Sequence, residues 1–161
     1  MNQFGSIREM LWRLGLSRVR RIDPDFGAIH DHGTFASSSV YFAPLGRQIE
    51  IIIPGRGGII QPWQKAAFAE IERKYSHIER DVTGAAANYV SAEGAKAGGG
   101  STGDAARGGG RGEFTLECLT LPETAEDSTR WEATLHSTTT RNDYAVRVRR
   151  WGVYEVENLD R

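Results

Sequence analysis

The chain predicts an α+β fold: a largely antiparallel sheet of about six to seven strands, one long helix over residues 62–90 packed on one face, and a short N-terminal helix. Three observations lead there. Apolar residues Trp63, Ala67, Ile71, Tyr75, Ile78 and Val82 recur at helical spacing in the middle of the chain. Short alternating runs bounded by proline and glycine lie on both sides of that stretch. The length of 161 residues, with 39% hydrophobic and 25% charged, suits one core and leaves too little for two.

Taken in order, Ile7, Met10, Leu11 and Leu14 fall at i, i+3, i+4, i+7, which predicts a helix over residues 6–14 with Ser6 as its N-cap and Gly15 closing it. Five arginines against Glu9 make residues 1–22 a basic arm with charge +4. The domain proper then runs from 23 to 161. Asp23-Pro24-Asp25 reads as a turn, and residues 26–32 as a strand. Residues 39–43 and 47–53 form a hairpin across Pro44-Leu45-Gly46, with Ile49, Ile51 and Ile53 on one face and Gln48 and Glu50 on the other. Pro54-Gly55-Arg56-Gly57-Gly58 ends that strand, and Pro62 opens the long helix. Gly84 reads as a kink or break in it, and Glu70 precedes Lys74 in the favourable ion-pair order.

Residues 94–112 hold nine of the 19 glycines and no large apolar side chain, so they read as a flexible loop interrupting the domain. Beyond it, residues 113–121 form a strand. Phe114, Leu116 and Cys118 lie on one side and Leu119 and Leu121 on the other, which requires a bulge near Cys118. Residues 130–136 and 143–149 form a hairpin whose register pairs Leu135 with Tyr144, Ala133 with Val146, Trp131 with Val148 and Glu132 with Arg147. A turn at Arg150-Trp151-Gly152 leads into a last strand at 153–156.

Composition narrows the function. A net charge of -1 and a pI near 6.4 argue against a dedicated nucleic-acid binder, leaving Arg18, Arg20 and Arg21 as a weak anionic-surface candidate. One cysteine excludes an internal disulfide framework and fits a reducing, cytoplasmic location; no stretch is apolar enough for a membrane span. His30-Asp31-His32 puts two imidazoles on one strand face, the single metal-like spelling, and supports the alternative of a metal-dependent enzyme. Asp25-Phe26-Gly27 stands without the rest of the kinase set, and Gly55-Arg56-Gly57-Gly58 lacks the lysine and hydroxyl of a phosphate loop. Cys118 reads as core, and the carboxylate pairs Asp23/Asp25 and Glu126/Asp127 as solvated turns. No catalytic set and no cofactor emerges. Arg147, Arg149 and Trp151 instead alternate on one strand face, an arginine–tryptophan pattern that anchors interfaces.

Asp25-Phe26-Gly27, the Tyr41-Phe42-Ala43-Pro44-Leu45-Gly46 turn, the Ile49/Ile51/Ile53 strand and Pro62-x-Gln64 opening a helix through Phe68, Ile71 and Tyr75 resemble a group of small bacterial domains of unknown function, of the immunity-protein type found in toxin–immunity loci. The closing strands with Trp131 are similar in order. The resemblance covers residues 23–90 and 113–157 and carries no catalytic residues. It implies a non-enzymatic interaction domain whose partner is a toxin; the strand pattern offers Arg147, Arg149 and Trp151, and the basic run Arg18, Arg20 and Arg21, as the residues to meet it.

Overall fold

A computed structural model describes residues 18–97 and 113–160. Among the described residues eight strands form one sheet in sequence order: β1 Arg18–Asp23, β2 Gly27–Asp31, β3 Phe35–Phe42, β4 Arg47–Pro54, β5 Phe114–Thr120, β6 Arg130–Ser137, β7 Asp143–Arg149 and β8 Gly152–Asn158. Helix α1, Pro62–Ala97, connects β4 to β5. Each set of four strands is an antiparallel meander, and the two meet at the parallel pair β4–β5. Parallel neighbours need a long crossover, and α1 supplies it.

The α+β class and the largely antiparallel sheet agree with the sequence reading; the count of eight exceeds it by the edge strand β1. Its sequence, Arg-Val-Arg-Arg-Ile-Asp, has no apolar alternation. It joins β2 through backbone pairing from Arg18↔Asp31 to Asp23↔Gly27, a force that side-chain periodicity does not report. Residues 18–22 therefore belong to the sheet and not to an arm. The helix predicted over residues 6–14 lies outside the described residues, as do residues 98–112 of the glycine-rich segment.

Helix α1 runs without interruption through Gly84 and onward to Ala97, past the end predicted from its stripe. Packing holds it across Gly84: Ala86 is fully buried, and the Tyr89 ring meets Tyr144 edge-on at 6.1 Å. At the other end Phe68 lies 5.2 Å from Phe26, and Tyr75 5.1 Å from Phe42. These contacts place α1 over Ile49, Ile51 and Ile53 of β4, Leu116 and Leu119 of β5, and Val146 and Val148 of β7. Burying about ten such side chains at about 1.5–3 kcal/mol each outweighs a glycine cost of about 1 kcal/mol.

Gln64 clamps the start of the crossover. It is fully buried, its Oε1 accepts from the Gln61 N–H at 3.0 Å, and its Nε2 donates to the Pro54 carbonyl at 2.8 Å and the Pro122 carbonyl at 3.0 Å. The first bond is the reciprocal half of a capping box. The other two tie the ends of both parallel strands to the first turn of the helix.

The predicted β6–β7 register is the observed one. The bulge falls between Leu116 and Cys118, where it keeps both Leu116 and Leu119 facing α1. Cys118 consequently points away from the core, opposite Glu50 and Thr134, and is half-buried; its reading as core is corrected.

Candidate functional site

The sheet face turned away from α1 carries the charged chemistry. Register places Glu155, Arg147, Glu132, Thr120, Ile52 and Ser37 in one row across β8, β7, β6, β5, β4 and β3. The neighbouring row holds Glu157, Ala145, Thr134, Cys118, Glu50 and Ser39.

Arg147 organises one end of this face. Its Nε donates to Glu132 at 2.9 Å, Nη1 reaches Glu155 at 2.9 Å and Nη2 reaches Glu157 at 2.8 Å. All of its fork is used, against three separate carboxylates. Burial works against the guanidinium charge, but Glu155, Glu157 and Glu132 outweigh it and hold Arg147 firmly protonated. Glu132 behaves the other way. Burial pushes its carboxyl above the ordinary range, Arg147 opposes the rise without cancelling it, and Glu157 and Glu155 add to it. One cation shared among three anions leaves the group with charge -2.

Next to it, a register shift between Arg147 and Val148 gives β8 one extra residue, Tyr154, which turns outward beside Glu155. Tyr154 is 45% exposed, its hydroxyl accepts from Arg130 Nε at 3.1 Å, and the Arg130 guanidinium lies 5.5 Å from the ring centre. Arg149 pairs with Arg130 across the strands and is exposed. The outcome is a surface of arginines and glutamates around the presented Tyr154 ring. Sequence reading included Arg147, Arg149 and the Glu132 partner but missed Tyr154, Glu155 and Glu157. A two-residue turn alone sets Tyr154 opposite Arg147 and turns Glu155 and Glu157 toward α1; the bulge brings both glutamates to this face, and a bulge leaves no signal in the sequence.

Trp151 does not share this face, so the predicted alternation of Arg147, Arg149 and Trp151 is corrected. Arg149 pairs with Gly152, leaving a two-residue turn in which Arg150 and Trp151 have φ of 51° and 68°. Two left-handed residues end the strand alternation, and the indole folds over the other side of the sheet. There it packs on Trp131 at 6.5 Å, and Lys74 of α1 lies 4.2 Å above its ring. Lys74 also pairs with Glu70 at 2.7 Å, and Arg73 and Lys74 together hold the Glu70 carboxyl down to about 2.

His30 pairs across the strands with Val19 and Ser37, and His32 Nε2 lies 3.1 Å from the Ser37 hydroxyl while its ring stacks on Phe35 at 4.8 Å. Burial, with His30 next in weight, keeps His32 below its ordinary pKa, favouring the neutral ring. Among the described residues no group of three or more His, Cys, Asp or Glu side chains is placed to hold a metal ion. Arg18 and Arg20 are known by strand position alone, at the sheet edge, and Arg21 is exposed.

Asp23 is not the solvated turn carboxylate that the sequence predicts. It is 4% exposed, accepts from the Asp25 N–H at 2.9 Å and the Phe26 N–H at 3.3 Å, and meets Lys65 at 3.0 Å. Burial acts to raise its pKa, but the two backbone donors and Lys65 together bring it below the ordinary value. Lys65 also reaches Asp25 at 2.7 Å, so α1 is fastened to the β1–β2 turn. No family model, curated protein or solved structure matches the chain. Among the described residues no helix is long and apolar enough to cross a membrane.

Proposed function

We propose that the chain is a non-enzymatic interaction domain of the immunity type, and that it meets a partner toxin through the β6–β8 part of the face opposite α1. The observation that carries this reading is the Arg147 cluster beside the presented Tyr154 ring. Interfaces draw their binding energy from tyrosine, tryptophan and arginine anchors held in fixed geometry, because little rotamer entropy remains to be lost on association. Arg147 is fixed by three ion pairs and Tyr154 by Arg130, whereas Glu155 is half exposed and open to a basic group on a partner. The excess carboxylates favour a partner surface rich in lysine or arginine.

The test is co-expression with the product of an adjacent toxin-domain gene, followed by calorimetry on the purified pair. Tyr154→Ala and Arg149→Glu each weaken binding tenfold or more, while Trp151→Ala, on the other side of the sheet, leaves affinity unchanged. Equal affinity for wild type and both face variants overturns the assignment of this face.

A further inference from the structure

Strand β8 closes one side of the sheet. Among the described residues it pairs with β7 alone, so the backbone donors and acceptors along its outer side have no strand partner there. The side chains change at this margin as well. Val146 and Val148 of β7 are buried beneath α1, whereas Val156 and Val153, opposite them on β8, pack against the core and stay half-buried. On the other face Glu155 keeps 50% and Glu157 28% of its side-chain surface in solvent. The bulge precedes Glu155, so residues 155–158 hold a regular register with β7, and no proline interrupts the strand.

We propose that β8 accepts a further strand from the protein partner, an extended segment in which basic residues alternate with apolar ones. Its basic side chains stand beside Glu155 and Glu157, and the apolar side chain between them lies beside Val156. This rests on the proposed function only in that the strand belongs to a protein partner; it adds the edge, the backbone form and the side-chain pattern of the segment. Three observations select this occupant. Opposed residues in a sheet share a face, so the succession Glu155, Val156, Glu157 calls for the complementary alternation in a strand laid beside it. The charge calls for cations, because Glu132, Glu155 and Glu157 share the one Arg147. A second copy of the chain meets the reverse: antiparallel pairing of two β8 strands across residues 155–157 sets glutamate opposite glutamate, which destabilises the pair. The sheet's other edge strand, β1, reads Arg-Val-Arg-Arg-Ile-Asp and repels a basic segment. In strand addition the main-chain bonds supply the affinity and the alternating side chains choose the sequence.

The probe is a blocked hexapeptide of alternating lysine and valine, titrated into the full chain by calorimetry and by amide hydrogen exchange. Exchange is expected to slow in β8 and to stay unchanged in β1. Two further peptides carry N-methyl groups on all lysines or on all valines, and one of them, deprived of the donors that face β8, is expected to bind about tenfold more weakly. Glu155→Lys/Glu157→Lys is expected to lose the lysine peptide and to take up its glutamate–valine counterpart. The N-methyl series leaves the protein unaltered, so it decides the matter even where that double variant fails to fold. Equal affinity for all three lysine peptides overturns the proposal, as does absence of binding or protection confined to other strands. The face reading is judged separately, by Tyr154→Ala and Arg149→Glu against the toxin, so the two can fail independently.

Discussion

Lys65 and Arg147 each serve several carboxylates, yet the two clusters shift their acids in opposite directions. Around Lys65, Asp23 titrates low, because two backbone N–H groups of its own turn join the lysine in stabilising the anion against the desolvation that raises it. Around Arg147, Glu132 has a single arginine that it shares with Glu155 and Glu157, and burial wins. Local donors, which cost no mobile cation and face no competitor, decide whether a buried carboxylate is comfortable. The first arrangement is structural, fixing helix to turn. The second shares one cation among three carboxylates on the face opposite α1.

The largest expected effect comes from removing the shared cation. Arg147→Ala leaves Glu132, Glu155 and Glu157 facing one another and is expected to cost about 3 kcal/mol in urea denaturation at neutral pH. The deficit shrinks in acid as the carboxylates protonate. Asp23→Ala is expected to cost about 1–3 kcal/mol, since two turn N–H groups lose their acceptor and Lys65 loses its inner partner. Lys65→Met, which leaves those turn bonds in place, costs less than Asp23→Ala.

The pH dependences sharpen the contrast. Asp23, held low, contributes stability that is present above the ordinary aspartate range and lost as pH falls through its lower folded value; Asp23→Asn removes this acid-limb slope below about pH 4. Glu132, held high, binds its proton more tightly when folded, so its contribution falls as pH rises from the ordinary glutamate range through its folded value. Glu132→Gln is therefore expected to flatten that loss in the mildly acidic range and to cost less at neutral pH than Arg147→Ala. If Glu132→Gln destabilises more than Arg147→Ala, the picture of excess negative charge fails. The smallest effect is expected from Arg150→Asn, a gain of a few tenths of a kcal/mol on denaturation, because asparagine tolerates the left-handed turn position better than arginine.

Much of this architecture was legible in the linear chain. Alternation located β4, β6 and β7 and the register of β6 with β7, because one face is buried and a slip of one residue turns every side chain over. Helical spacing and Pro62 located the start of α1. The strand β1 was not legible, since backbone pairing holds it without an apolar pattern. The continuity of α1 through Gly84 was not legible either, since contacts such as Tyr89 with Tyr144 hold it across the glycine that local propensity reads as a break. At the candidate site, Arg147 and Glu132 were paired by register alone. The side taken by Glu155 and Glu157 and the true side of Trp151 depended on a bulge and a two-residue turn, which reverse or repeat the alternation locally.

What the sequence determined by itself was the α+β class, the β6–β7 register and the separation of apolar from charged faces, all of which rest on short-range periodicity. The tertiary structure decided which carboxylates share a cation, that Asp23 is buried, and that Cys118 leaves the core. Those outcomes depend on residues tens of positions apart being brought within 3 Å, as Lys65 and Asp23 are. Desolvation and charge competition arise only once the chain has folded around them.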